Sequence, residues 1–323
     1  MEISWPTHRR VVYGGHLGYG LANSKLREAL ASRGVRIRRR AKIVFHLCRA
    51  DVFKPIKKRK NILFTMYEGT PVPESFAKSF AKADLLLTPS YFCKDMFDPL
   101  CNGKSFSIVP LGLDGKGHVV RKSSWVAGET FVWLWVGAPN ARKGWDTLIK
   151  TWQRFFAKKP WMHLFLKTTS PVSEGTVETF GNVTFDSRRY TDEGLLNLYA
   201  KCDAFVLPTA GEGWGLTLTE AAAAGLPLVT TRHGGQVDFL CDKSTYFVDY
   251  KFKRITTNEG TPFDAAIADE LDLARQMINL MNNYEDASSS ALEYQPVIVE
   301  KYTWENSAKK IISLIEGSFT DEK

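Results

Sequence analysis

Short runs of apolar, β-branched and aromatic residues alternate along this chain with stretches whose apolar positions recur every three to four residues. The runs at 11–13, 43–47, 61–66, 85–88 and 106–109 read as strands, and so do 131–136, 163–167, 183–185, 204–207, 228–230 and 246–248. Helical spacing fills the intervals at 22–32, 75–82, 145–156, 192–201, 216–224 and 263–283. Strands alternating with helices predict β-α units and parallel sheets. The rhythm occurs twice, on either side of a mostly polar stretch, 116–130, which reads as a linker. The predicted fold class is α/β, with two Rossmann-like domains over 1–115 and 131–300 whose parallel sheets face one another across a cleft. Ligands of such domains bind outside the carboxyl ends of the strands.

Composition narrows the classes and then stops helping. At 323 residues, 44% hydrophobic and 24% charged, the chain matches an ordinary globular protein, not a disordered or fibrous one. No run approaches the roughly 20 apolar residues that span a bilayer, and the first residues carry no apolar signal region. Five cysteines, with no C-x-x-C pair, speak against a disulfide framework or structural zinc and for a reducing compartment, the cytoplasm. No metal, cofactor or obligate protein partner is expected.

Charge is more telling. The net +8 divides into 23 Lys and Arg against 9 Asp and Glu over residues 1–125, a net of +14, and a net of −6 over the remainder. The basic half is densest at 36–42 and 54–60, where Arg38, Arg39, Arg40, Lys57 and Lys58 are candidate contacts to a polyanionic acceptor, either DNA or an anionic membrane surface. A solvated basic face is the plainer reading of the same residues. Segment 75–82, with Phe76 and Phe80, is the one candidate for a membrane-facing helix, although that spacing is more often core.

The chemistry concentrates between Ala204 and Thr231. There an apolar strand runs into a loop containing Gly211, Gly213 and Gly215, and an alanine-rich helix follows that stops at Gly225 before Pro227. Glycines at a strand-to-helix turn let backbone N–H groups approach a ligand, and the helix start adds unpaired donors and a positive dipole end. Glu212 and Glu220 flank that anion site. Carboxylates are poor phosphate ligands but accept hydrogen bonds from sugar hydroxyls, so the inferred ligand joins a diphosphate to hydroxylated rings. That describes a nucleotide sugar.

Glu212-x7-Glu220 within Gly-Glu-Gly-Trp-Gly-Leu, followed by Gly225-Leu-Pro and Gly234-Gly235, resembles the E-x7-E signature of retaining family-4 glycosyltransferases, which have the glycosyltransferase-B fold. The resemblance implies that Glu212 meets the hydroxyls of a hexose-type donor sugar and Glu220 the ribose. It also implies that Gly213, Trp214, Gly215, Leu216 and Thr217 form the phosphate-holding loop. Residues 137–149 resemble the family's strand and loop with a Lys-Gly pair, in which Lys143 neutralises the diphosphate beside Gly137. The family often has an arginine directly after that glycine. Ala138 stands there, leaving Arg142 as a candidate substitute or an exposed basic residue. Gly14, Gly15 and His16 resemble the family's N-terminal glycine-rich loop. Tyr302-Thr-Trp-Glu305 resembles its closing motif, so 301–323 is expected to form a helix crossing back to the first domain.

Many members carry a histidine after an N-terminal strand. The equivalent stretch here is 65–71, so Tyr67 or Glu68 stands in its place. Glu68 is a candidate to orient or deprotonate the acceptor hydroxyl, or simply a capping carboxylate, and His16 is a second candidate. UDP is the commoner donor nucleotide within the resemblance. A hydroxylated base in DNA is narrowly preferred as acceptor over a membrane lipid or cell-surface polysaccharide. Peripheral attachment to DNA or to the inner membrane face would follow from the same charge. A non-catalytic binding protein on the same scaffold is the reading from a different class, and the intact Glu212, Glu220 and Lys143 speak against it.

Overall fold

The computed structural model describes residues 1–6, 18–113, 125, 129–168, 175–256 and 262–319. Gly14, Gly15, His16, the predicted strand 11–13 and most of the stretch read as a linker lie outside the described residues. The chain forms two compact units, Met1–Gly115 with Lys301–Lys323, and Lys116–Glu300.

Among the described residues the first unit holds six strands: β1 (Glu2–Ser4), β2 (Arg36–Ile37), β3 (Ile43–Leu47), β4 (Lys60–Phe64), β5 (Leu85–Thr88) and β6 (Ser107–Ile108). They pair in the order β2-β1-β3-β4-β5-β6, and every pairing is parallel. Strands β3 and β4 are mostly apolar because helices cover both faces of a parallel sheet. Helices α1 (Tyr19–Ser32), α2 (Ser75–Lys82) and α3 (Tyr91–Phe97) supply that cover. In α2, Phe76 and Phe80 are fully buried and pack edge-on to each other, with Phe97 and Phe106 beside them. The membrane-facing reading of 75–82 is therefore replaced by an aromatic core.

The second unit is built on seven strands: β7 (Phe131–Gly137), β8 (Met162–Thr168), β9 (Val177–Phe180), β10 (Val183–Asp186), β11 (Ala204–Leu207), β12 (Leu228–Thr231) and β13 (Thr245–Val248). Their order is β13-β12-β11-β7-β8-β10-β9, parallel except for β9 at one edge. A separate antiparallel ribbon pairs β14 (Tyr250–Thr256) with β15 (Pro262–Ala268). Helices α4 (Trp145–Phe155), α5 (Asp192–Ala200), α6 (Leu216–Ala223), α7 (Glu270–Asn282) and α8 (Tyr284–Lys301) complete it. A final helix, α9 (Trp304–Phe319), belongs to the first unit. It packs on α1, with an ion pair between Arg33 and Glu305 and a hydrogen bond from Ser307 Oγ to the Pro110 carbonyl at 2.6 Å.

One predicted helix divides differently. The interval 263–283 reads as helical because it is rich in alanine, yet its first part is the strand β15. Phe263 and Ala265 are buried against Ala210, and the Ala266 N–H donates to the Ala210 carbonyl at 2.9 Å. Pairing and burial override alanine's local preference. The helix starts only after Asp269, whose carboxylate caps it by accepting from the Leu271 and Asp272 N–H groups, both at 3.0 Å.

Candidate active site

The carboxyl ends of β7 and β11, neighbours in the second sheet, bring together the residues that the sequence places 69 positions apart. After β7 the chain makes a single tight turn over Ala141–Lys143. The Asn140 side chain caps it by accepting the Lys143 N–H at 3.0 Å. Gly144 then adopts φ 66°, and a Cβ there would sit 2.0 Å from the Pro208 carbonyl oxygen. Only glycine allows both the left-handed turn and this contact, which ties the Lys143 turn to the end of β11. The Arg142 carbonyl accepts from the Ala210 N–H at 2.7 Å and from Thr209 Oγ1 at 3.0 Å, closing the junction.

Glu212 lies at the centre. Its Oε1 accepts from Lys143 Nζ at 2.6 Å, Thr209 Oγ1 at 3.1 Å and Arg142 Nη1 at 3.2 Å, and the residue is 6% exposed. Burial by itself would raise the pKa of this carboxyl. The Lys143 and Arg142 charges, with the hydrogen bonds from Lys143 and Thr209, outweigh it and hold Glu212 below the usual glutamate range. Glu212 is thus an ionised carboxylate under two cations.

The Gly234-Gly235 pair explains itself at the same place. A Cβ on Gly235 would meet the Gly213 carbonyl oxygen at 2.3 Å, and the Gly235 N–H donates to the Glu212 carbonyl at 2.7 Å. The loop following β12 therefore lies directly against the Glu212 loop. Gly215 has φ 104° and begins α6, whose hydrogen bonds start with the Leu218 and Thr219 N–H groups bonding the Gly215 carbonyl, both at 3.0 Å. The Leu216 and Thr217 amides come earlier in the first turn and have no partner within the helix. The Thr217 Oγ1 is buried without a hydrogen-bond partner at the same helix start. The Trp214 indole turns inward and packs on Phe239, with ring centroids 4.7 Å apart, so this residue joins the loop through its backbone and the core through its ring.

Glu220, one turn further on, has an opposite environment. It keeps an accessible edge but is otherwise enclosed, and its Oε2 accepts from the buried Tyr199 hydroxyl at 2.9 Å. Burial pushes its carboxyl up to about 7, against the Tyr199 hydrogen bond, which favours ionisation. Two carboxylates eight residues apart are therefore set on opposite sides of their ordinary value. Gly137 ends β7, where a Cβ would press on the Trp135 ring at 3.3 Å.

In the first unit, Tyr67 and Glu68 follow β4 at the carboxyl end of that sheet. The Tyr19 hydroxyl holds this loop, donating to the Met66 carbonyl at 2.7 Å and accepting the Met66 N–H at 2.8 Å. Tyr67 is buried with its ring edge-on to Phe76, while Glu68 is partly exposed. Arg38, Arg39, Arg40, Lys57 and Lys58 are exposed but lie elsewhere: their two runs lead into the amino ends of β3 and β4. Tyr67, also a candidate acceptor contact, does not adjoin them. The strands place Tyr67 and the basic residues at opposite ends of the sheet. Sequence reading also missed Thr209, Tyr199 and Asn140. Thr209 and Asn140, each three residues before the group it supports, carried the only local signal.

Residues 130–283 match the family described as Glycosyl transferases group 1. Over 123 residues the chain is 32% identical to a D-inositol 3-phosphate glycosyltransferase of Corynebacterium urealyticum, covering 38% of this chain and 25% of that protein. It is 30% identical over 110 residues to a sucrose synthase of Acidithiobacillus caldus, covering 34% of this chain and 12% of that one. The chain thus spans a quarter or less of the length of these relatives. The fold is similar to that of a sucrose-phosphate synthase from Thermosynechococcus elongatus, with TM-score 0.70 at 15% identity over 99% of both chains. It is also similar to Anabaena HepE in complex with UDP and glucose, with TM-score 0.69 at 11% identity over 98% of this chain and 99% of that one. Residues 130–283 are thus similar to the glycosyl transferases group 1 family, and the chain as a whole shares the α/β fold of these solved structures.

Proposed function

We propose that this chain is a retaining, metal-independent glycosyltransferase that moves a hexose-type sugar from a nucleoside diphosphate donor, UDP-sugar first, to a hydroxyl on an anionic acceptor. The observation that carries the reading is the Glu212 carboxylate held ionised by Lys143, Arg142 and Thr209 beside the start of α6. In it, Glu212 accepts from the sugar hydroxyls and Glu220 from the ribose. Lys143, Arg142 and the Leu216 and Thr217 amides meet the negative charge that grows on the diphosphate as the bond from the anomeric carbon to its oxygen breaks. The acceptor hydroxyl oxygen bonds the anomeric carbon on the face the diphosphate leaves, and its proton passes to the departing phosphate oxygen. Glu68 and His16 are the residues assigned to orient that hydroxyl, and Gly14 and Gly15 to the donor phosphates.

For the acceptor, the +14 balance of the first 125 residues supports a hydroxylated base in DNA. A membrane lipid or cell-surface polysaccharide is the second reading, and the relatives' names specify inositol 3-phosphate and sucrose, neither of them a nucleic acid. The test is a thermal-shift screen of UDP, GDP and ADP with their sugars, followed by transfer assays on hydroxymethylated DNA and on lipid and oligosaccharide acceptors. A true donor at about 100 times its Kd stabilises the fold by about 2.7 kcal/mol. No shift with any nucleotide would overturn the enzyme. Transfer only to lipid or saccharide would overturn the DNA acceptor alone.

A further inference from the structure

Residues 36–60 carry eleven Lys or Arg and a single acid, Asp51. In sequence they form two runs, but the fold makes them one surface. The first run ends where β3 begins at Ile43, and the second ends at Lys60, the first residue of β4. Those residues are register partners on neighbouring parallel strands. The Lys60 N–H donates to the Lys42 carbonyl and Arg59 Nη1 to the Arg39 carbonyl, each at 2.9 Å. A guanidinium of one run thus fixes the backbone of the other.

The surrounding acids neutralise part of this surface. Asp51 is paired with Arg49 at 3.0 Å, Glu2 with Arg36 at 3.1 Å, and Asp84 accepts the Asn61 N–H at 2.6 Å. Lys58 holds left-handed backbone, φ 61°, a conformation that favours glycine, and its side chain is exposed. Strands β3 and β4 separate the surface from the carboxyl end of the sheet by four residue steps, roughly 13 Å. The cations are therefore too far back to meet groups reacting beside Glu68.

We propose that this surface docks the phosphodiester backbone of a duplex nucleic acid, as a holding site separate from the acceptor pocket. Five of the eleven cations, Arg36, Arg38, Arg39, Arg40 and Arg59, are arginines of the two runs, whose planar forks match phosphate oxygens. Near these runs Met1 is exposed, the partly exposed Phe319 ring lies 5.8 Å from Lys60 Nζ, and Val35 and Phe53 are buried. Membrane attachment draws on inserted apolar groups as well as charge, and single-strand binding draws on exposed aromatic platforms. A surface in which cations far outnumber Met1 and the single ring of Phe319 fits a duplex backbone, read independently of base sequence. The proposal deepens the acceptor reading above without needing it, because docking is measured with no donor and no transfer.

The experiment uses the full chain and fluorescence anisotropy of a labelled DNA duplex over a salt series, with sedimentation of phosphatidylcholine–phosphatidylserine vesicles alongside. Replacing Arg38, Arg39 and Arg40 together by alanine should weaken duplex binding at least about tenfold and flatten its salt dependence by about one per lost contact. Lys57→Ala with Lys58→Ala should act in the same direction, since the two runs form one surface. Lys158→Ala with Lys159→Ala, on the second unit, should leave binding unchanged. Circular dichroism melting verifies the fold of each variant. Equal weakening by the control pair, or no weakening from either run, would overturn the docking site. Binding to vesicles without binding to duplex would replace nucleic acid by a membrane surface. A donor screen that fails while duplex docking persists would remove the enzyme and keep this inference.

Discussion

Replacing Lys143 with methionine keeps the length of the side chain and removes its ammonium, which lies 2.6 Å from the Glu212 carboxylate. Both side chains are largely buried, at 14% and 8% exposed, so water cannot take the place of the lost charge. Stripping a partner from a buried ion pair costs about 3–5 kcal/mol when nothing else meets the remaining charge. Here Arg142 and Thr209 still reach the same oxygen, at 3.2 and 3.1 Å. A loss of roughly 1–3 kcal/mol is therefore expected. The pH dependence has a definite sign. Glu212 titrates below its ordinary value when folded, so its stabilisation is present above the unfolded pKa and is lost as pH falls through the folded one. The gap between parent and variant should accordingly be full at neutral pH and close on acidification below the glutamate range. On the proposed chemistry, loss of one preorganised cation at the leaving diphosphate lowers kcat by about 10²–10³. Urea denaturation across pH, with chromatography of released nucleoside diphosphate, measures both effects. A variant that is less stable yet turns over within threefold of the parent would refute the assignment and leave Lys143 a structural counter-ion.

Glu220 supplies a second pH signature. Its carboxyl is raised to about 7, so its contribution to stability is present below the unfolded pKa and is lost as pH rises through 7, and Glu220→Gln should be relatively more stable at pH 8 than at pH 5. If the ionised form accepts from ribose, calorimetric affinity for UDP should rise about tenfold from pH 6 to pH 8, and the glutamine variant should be flat. Gly144→Ala combines φ 66° with a Cβ 2.0 Å from the Pro208 oxygen, and should cost on the order of 3 kcal/mol or more by thermal melting. Tyr19→Phe deletes the hydroxyl that both donates to and accepts from Met66. It should cost about 1–3 kcal/mol by denaturant unfolding, with a larger effect on transfer than on UDP binding, since the loop it holds carries Glu68.

The chain's own pattern was enough to place most strands of both parallel sheets and the loop around Glu212, because each signal is local. A strand buried on both faces reads as an apolar run, as at Ala204–Leu207, and where Ile43–Leu47 buries His46 the imidazole meets the Asn61 side chain at 3.2 Å. A helix start that approaches a ligand needs glycine where the backbone turns, as at Gly215. What the pattern leaves open is which distant segment covers a given face. Residues 262–268 have the composition of a helix and became a strand because Tyr250–Thr256 was there to pair with them. Trp214 sits in the motif, yet its ring went to the core against Phe239. Tyr199 shapes the electrostatics of the site through a contact to Glu220, 21 residues away, that no spacing announces.

The basic runs show the division most sharply. Their charge is written in the sequence. Only the parallel pairing of β3 with β4 decides that both runs meet at the amino ends of their strands, away from Tyr67 and Glu68. The physical reason is that hydrophobic periodicity records the environment of each residue on its own element, whereas strand order and polarity arise from contacts between elements far apart in the chain.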